Sequence, residues 1–210
     1  MPYIKEVFQP TNLQHAKDIC LSPDSNDPDK FQKETDFFVE WLIAQGFVSS
    51  DLKIADFGCG VGRISRELII KTNCNIMGFD ISSVMMDQAI SYINSPNFNS
   101  HVFNDWIPYN DTTKYDTVIA SLVLQHSEYP IKAIEFISNI IEDTGYFILV
   151  NEGTRFVPYD VDPNGWVIWK DDGINIEKEV NQYFDLVSKH NYYTRKDKCL
   201  SVWRKKVNTY

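Results

Sequence analysis

Three glycines fall within five residues of the stretch IADFGCGVGR (Ile54 to Arg63), in and directly after a short apolar run that carries Asp56. A cluster of this kind between a strand and a helix lets the chain reverse sharply and lays bare backbone against a ligand, with no Cβ in the way. An ordinary βα turn would account for such a cluster taken alone. The next apolar run, Asn75 to Phe79, decides between the two readings, because it leads into Asp80, 18 residues beyond Gly62. A carboxylate there accepts hydrogen bonds from the two adjacent hydroxyls of a ribose. Together the two features predict a nucleoside-containing cofactor bound beyond the carboxyl ends of a sheet.

The rest of the chain supplies that sheet. Short apolar runs at Lys53 to Phe57, Asn75 to Phe79, His101 to Asn104, Tyr115 to Ser121 and Tyr146 to Val150 read as strands. Helices are predicted between most of them, at Gly62 to Lys71, Ser83 to Ile93 and Pro130 to Glu142, the last with Ile134, Ile137 and Ile141 as its buried stripe. Strands separated by helices need crossover connections, so the expected fold is α/β: a Rossmann-like, mostly parallel sheet with helices on both faces. Upstream, after an irregular polar start (Thr11 to Asp29), Asp27-Pro28 opens a helix to about Gln45 with Phe38, Trp41 and Leu42 on one face. Downstream, Asn151 to Asn175 carries no helical pattern, and an amphipathic helix bearing Val180, Tyr183, Phe184 and Val187 follows it. Two closing runs, Asn191 to Arg195 and Leu200 to Lys205, are joined by a turn too short for a crossover and must pair antiparallel. Residues 1–50 read as an extension and helix able to fold over the site as a lid through Tyr3, His15 and Lys17. Residues 51–210 read as the main domain, with 151–175 as a substrate-side insertion.

Charge and cysteine usage remove whole classes of function. The net charge of -9 repels a polyanion, so no nucleic acid partner is expected, and the one basic cluster, Arg204-Lys205-Lys206, reads as a solubilised end strand. The absence of a signal pattern or of an apolar run long enough to span a bilayer predicts a cytoplasmic protein with no membrane partner. Four scattered cysteines without CxxC spacing predict free thiols and no metal site. The cofactor itself is narrowed by two residues. A dinucleotide fingerprint needs glycine at position 63, where Arg63 stands, and Asp56 repels a pyrophosphate but attracts an ammonium or a sulfonium. Both disfavour an NAD-dependent oxidoreductase.

With these residues in hand the chain resembles the class I, Rossmann-like S-adenosylmethionine-dependent methyltransferases. DFGCGVGR is similar to the first motif of that family, GFDIS to its acidic second strand end, FNDW to its adenine-side segment and YDTVIASLVLQH to its fourth strand. The antiparallel ending matches the seven-stranded sheet of that family. The resemblance implies that Asp56 and the backbone of Gly58, Cys59, Gly60 and Gly62 face the methionyl part of the cofactor, with Arg63 on its carboxylate. It implies further that Asp80 holds the ribose, that Ile81, Asp105 and Trp106 surround the adenine, and that the backbone around Ser121 meets the ammonium. The alternatives are a turn role for Asp105, a solvated helix position for Arg63, and core packing for Ile81 and Trp106.

Methyl transfer is an in-line displacement, so the protein must align nucleophile, methyl and sulfur and take a proton from a hydroxyl acceptor. Bases are expected at the ends of strands four and five. His126 is the first candidate and Glu152 the second, against a purely structural role for the histidine. In the 151–175 insertion, Arg155, Tyr159, Trp166 and Trp169 are the expected substrate wall, an anion partner and three stacking faces. The alternative is an aromatic cluster that pins a long loop. Asp160 and Asp162 read as turn formers rather than as metal ligands. The expected activity is S-adenosylmethionine-dependent methylation of a small molecule, with S-adenosylhomocysteine as product. The acceptor is expected to be a hydroxyl of a sugar, nucleotide-linked or phosphorylated metabolite; the competing reading is a non-catalytic cofactor-binding module. A monomer or homodimer is expected.

Overall fold

A computed structural model describes residues 3–103, 112–193 and 195–206, with the side chains of 195–197 left aside. Five parallel strands lie in its main sheet: β1 (Lys53–Phe57), β2 (Asn75–Asp80), β3 (Phe98–Val102), β4 (Tyr115–Ser121) and β5 (Ile141–Glu152). A small antiparallel hairpin, β6 (Val157–Val161) and β7 (Val167–Lys170), stands apart from it. The main sheet is completed by β8 (Phe184–Tyr192) and β9 (Arg195–Lys205), in the order β3-β2-β1-β4-β5-β9-β8. β9 runs antiparallel to β5 and to β8, as the short closing turn requires.

Among the described residues six α-helices accompany the strands: α1 (Leu13–Cys20), α2 (Lys30–Ala44), α3 (Arg63–Thr72), α4 (Ser83–Ile93), α5 (Pro130–Ile140) and α6 (Ile176–Tyr183). Alternation along the strands sends side chains to two separate cores. On β1 and β4, Ile54 and Ile119 join Phe38, Val39 and Leu42 of α2 and Leu68 of α3 on one face. Ala55, Phe57, Val118 and Ala120 join Ile134 and Ile137 of α5 and Val180 of α6 on the other. The period of two therefore puts Asp56 and Ser121 on the first face, at the carboxyl edge of the sheet.

Several expected boundaries move. α2 begins at Lys30 rather than Pro28, because Lys30 N–H donates to Asp27 O in a separate turn. β3 lies three residues upstream of its expected start, in parallel register with β2 (Phe79 opposite His101). Ile141 opens β5 instead of closing α5. The amphipathic helix stops at Tyr183; Phe184 is buried in the first position of β8, and Val187 is an exposed strand residue at the sheet edge. The closing turn lies upstream of its expected place: Tyr192 stands opposite Arg195, and residues 196–198, expected as the turn, belong to β9.

The irregular start contains α1, capped by Asn12, whose Oδ1 accepts from His15 N–H at 2.9 Å. α1 buries Ala16 against Val61 and Met85, and its Lys17 Nζ lies over the Tyr92 ring. Among the described residues no helix is long and apolar enough to cross a membrane, and no group of three or more His, Cys, Asp or Glu side chains is placed to hold a metal ion. All four cysteines are free thiols.

Candidate functional site

The turn between β1 and α3 carries Gly58, Gly60 and Gly62 in the left-handed region, at φ of 71°, 56° and 79°. Only glycine enters that region without a Cβ penalty. The space beside each glycine is already filled by protein. A Cβ on Gly58 would stand 2.2 Å from Val123, one on Gly60 2.3 Å from Cys20 Sγ, and one on Gly62 2.4 Å from Ile93. Close approach of a ligand is thus not the sole reason for these glycines. The turn is also held from the side: Gly58 and Cys59 N–H groups both donate to Phe79 O, and Val61 N–H donates to Cys20 Sγ.

Beyond the carboxyl ends of β1, β2, β4 and β5 lies a cavity of about 530 Å³, within the size range of small-molecule sites. Asp56, Gly58, Cys59, Gly60, Arg63, Asp80, Ile81, Ser121, His126 and Glu152 all line it, so ten of the expected residues converge there. Gly62 shapes the turn behind the wall. Asp105 and Trp106 lie outside the described residues.

Asp80 has the geometry a ribose needs. Its Oδ2 accepts from Gly60 N–H at 2.9 Å and its Oδ1 from Ser82 N–H at 3.0 Å. Each oxygen keeps a further lone pair, so the carboxylate can take one hydroxyl on each side. Burial raises its pKa, opposed by those backbone donors. Asp56 is buried and accepts from Ser65 Oγ at 2.7 Å; burial pushes its pKa up to about 6, so it is a weaker fixed charge than an exposed aspartate. Arg63 is buried rather than solvated, and its Nη1 donates to Thr35 Oγ1 at 3.0 Å.

His126 sits in the 3-10 turn Leu124–His126 that follows β4. Its Nδ1 lies 2.7 Å from Phe156 O. A carbonyl can only accept, so Nδ1 carries the proton and Nε2 the lone pair of the neutral ring. Nε2 stands 3.2 Å from the Gln125 amide nitrogen, while Gln125 Oε1 accepts from Glu152 N–H at 2.7 Å and so fixes that amide. Burial lowers the His126 pKa, which favours the neutral ring. Its faces pack on Trp169 at 5.3 Å and Phe8 at 6.4 Å, and its backbone carbonyl accepts from Tyr3 Oη at 2.9 Å.

The expected substrate wall is corrected here. Arg155 is buried, its Nε on both oxygens of Asp172 (2.8 and 2.9 Å) and its Nη1 on Leu124 O, so it fastens the insertion to the 3-10 turn. Tyr159 lies beneath Lys170 Nζ, and Trp166 is 74% exposed at the end of the β6–β7 turn. Neither they nor Trp169 line the cavity; Trp169 packs on two residues that do, His126 and Phe8. Asp160 and Asp162 accept from nearby backbone, Asp162 from Asn164 and Trp166 N–H, as turn formers do. The wall that does face the cavity comes from the N-terminus, Tyr3 and Phe8, and from Val123 and Tyr129. Gln125, Cys20 and Lys198 also line it, outside the expected set. For Gln125 a signal existed, a glutamine adjoining the histidine at a strand end.

Comparison with known proteins agrees with this geometry. Residues 55–147 match the family described as Methyltransferase domain. Over 120 residues, 51% of the chain, the sequence is 23% identical to the mitochondrial ubiquinone biosynthesis O-methyltransferase of Dictyostelium discoideum, and this segment spans 37% of that relative. Among solved structures, magnesium protoporphyrin IX methyltransferase from Synechocystis PCC 6803 with bound SAH superposes with a TM-score of 0.60 at 22% identity, covering 87% of this chain and 88% of that one. An S-adenosylmethionine-dependent methyltransferase from Clostridium acetobutylicum ATCC 824 gives 0.58 at 18%, covering 84% and 95%. The [4+2]-cyclase SpnF gives 0.67 at 14%, covering 85% and 84%. With its glycine turn, acidic strand end and 3-2-1-4-5 parallel order, the chain has the Rossmann-like fold of these methyltransferase neighbours, and residues 55–147 carry its similarity to the methyltransferase domain family.

Proposed function

We propose that the chain methylates a hydroxyl of a small molecule, of the sugar, nucleotide-linked or phosphorylated class, with His126 as general base. The observation that carries the proposal is the neutral His126 ring at the cavity wall, its proton fixed on Nδ1 by Phe156 O and its lone pair on Nε2. S-adenosylmethionine supplies an electrophilic methyl group on a positive sulfur and leaves as S-adenosylhomocysteine. Asp80 accepts the ribose hydroxyls, the Gly58 to Gly60 backbone and Arg63 hold the methionyl part, and Ile81 flanks the adenine. Asp105 and Trp106 belong to the adenine side in the same reading.

His126 Nε2 takes the hydroxyl proton as the oxygen attacks, exchanging the Gln125 amide for the acceptor. Phe156 O then stabilises the imidazolium through Nδ1–H, and Glu152, whose backbone orients Gln125, adds a favourable charge nearby. Tyr3 and Phe8 bring the N-terminal segment over the same cavity, consistent with a lid that excludes water. A hydroxyl acceptor is also in keeping with the O-methyltransferase relative. The working form is a monomer or homodimer without nucleic acid.

The test is formation of S-adenosylhomocysteine from labelled S-adenosylmethionine across a panel of hydroxylated metabolites. Turnover with a hydroxyl acceptor, lost in His126→Ala, is the expected result. The competing non-catalytic module predicts cofactor binding with no turnover on any acceptor. One neighbour in the fold is a [4+2]-cyclase, so binding alone does not distinguish them.

A further inference from the structure

Behind the glycine turn, on the first face of the sheet, lies a buried charged cluster outside the family motifs. Lys198, at the carboxyl edge where β9 meets β5, places Nζ 3.2 Å from Glu34 Oε1 of α2; their side chains are 2% and 0% exposed. Lys198 Nζ also lies 5.7 Å from the Tyr192 ring centre. Arg63 shares the cluster, feeling both Glu34 and Tyr192. Lys198 and Arg63 line the cavity; Glu34 does not.

Stability alone gives no reason for this arrangement. A buried ion pair repays its desolvation only when its geometry is good and its remaining lone pairs are satisfied. Here Glu34 Oε2 makes no hydrogen bond, while the buried Tyr192 hydroxyl lies beside Arg63 and Ser121. A buried carboxylate oxygen left so is rare and calls for an explanation beyond the ion pair itself. Two cations facing the cavity, with a carboxylate behind them and hydroxyls at the edge, complement a zwitterion whose anionic end is a carboxylate.

We infer that Lys198, positioned by Glu34, binds the carboxylate of the cofactor's amino-acid end together with Arg63, and so makes the site selective for ligands that retain that end. The inference rests on the cofactor reading above. Glu34 touches no ligand in it; it holds the ammonium of Lys198 at the wall.

Two adenosine ligands separate the contributions. S-adenosylhomocysteine has the amino-acid end and 5′-deoxy-5′-methylthioadenosine lacks it. Calorimetric titration of Lys198→Met should show S-adenosylhomocysteine weakened by about 10- to 100-fold, the scale of a lost charged hydrogen bond. Methylthioadenosine affinity should change by less than about 3-fold. Glu34→Gln should move the same ratio in the same direction by a smaller factor. Should the single variants fail to fold, Glu34→Gln with Lys198→Met removes both charges at once and should show the full change in ratio. Equal losses for both ligands, or no loss for either, would overturn the role. A wild-type protein that binds neither ligand would instead overturn the cofactor reading, and this inference with it. Binding of both by the wild type with an unaltered ratio in the variants would overturn this inference alone.

Discussion

Replacing Gly60 by alanine separates two reasons for a glycine at that position: room for a ligand, and room for α1. The residue sits at φ 56°, which costs an ordinary side chain about 1–2 kcal/mol. An added Cβ would stand 2.3 Å from Cys20 Sγ and 3.8 Å from Cys20 Cβ, and Cys20 supplies every non-adjacent atom within 4 Å of it. Relieving such a clash in a packed site costs a further 1–3 kcal/mol or so. Gly60→Ala should therefore destabilise the ligand-free protein by about 2–5 kcal/mol. Truncating Cys20 to alanine removes Sγ and leaves its Cβ at an ordinary contact distance, so in that background only the dihedral cost of about 1–2 kcal/mol should remain. Cys20→Ala alone should cost about 1 kcal/mol, because Val61 N–H loses its acceptor. Urea unfolding of the four proteins closes the double-mutant cycle, and the expected coupling is 1–3 kcal/mol in the direction of rescue. If the four stabilities add within about 0.5 kcal/mol, the steric account is refuted, and the dihedral and ligand approach are left as the reasons for the glycine.

Three further outcomes follow from the site. Asp80→Ala should weaken S-adenosylmethionine by about 1.5–3 kcal/mol, the range for charged hydrogen bonds, and an unchanged dissociation constant in a folded variant would remove Asp80 from the ribose. His126→Ala should lower turnover by roughly 10²- to 10⁴-fold at nearly constant cofactor affinity, whereas parallel loss of both would make the histidine a structural member of the wall. For Asp56 the sign runs against the usual carboxylate, because burial lifts its folded pKa from 3.8 to about 6. Its contribution favours the fold below about pH 4 and is lost as pH rises through about 6. Charging it in the fold thus costs roughly 3 kcal/mol at pH 7–8. The stability gap between Asp56→Asn and wild type, from urea midpoints, should therefore swing toward the variant by that amount between pH 4 and pH 8; a flat gap would mean that Asp56 is not buried as described.

The order of strands and crossover helices was legible because it rests on periodicity and glycine punctuation, signals carried within each segment. Lys53–Phe57, Tyr115–Ser121 and Ser83–Ile93 fall on the expected residues. What moved was set by partners remote in sequence. Phe184 and Val187 share helical spacing with Val180, yet Phe184 and its successors are drawn into a strand by the edge of β9, which offers unpaired backbone groups along its length. α1 was missed although its signal was present: Asn12 as cap, then Leu13, Ala16, Ile19 and Cys20 at helical spacing, diluted by polar residues between them.

At the site, the same division separates Asp80 from Arg155. Asp80 has a place fixed by its distance from the glycine turn along the chain, so its position at the strand end and cavity wall was readable without any remote partner. Arg155 looked like an anion clamp for a substrate because nothing local supplies its partner; Asp172 lies 17 residues on and reaches it only once the β6–β7 hairpin has formed between them. His126 stands between the two cases. Its position after β4 was readable, but its tautomer depends on Phe156 O across the insertion, and its Nε2 faces Gln125, whose amide is oriented by Glu152 N–H. The insertion therefore bears on the cavity without its aromatics facing it: Phe156 fixes the His126 proton, Trp169 packs the ring, and Arg155 ties both to the turn that carries His126. A change in Arg155 or Asp172 should accordingly register in turnover through His126, at a site neither residue touches.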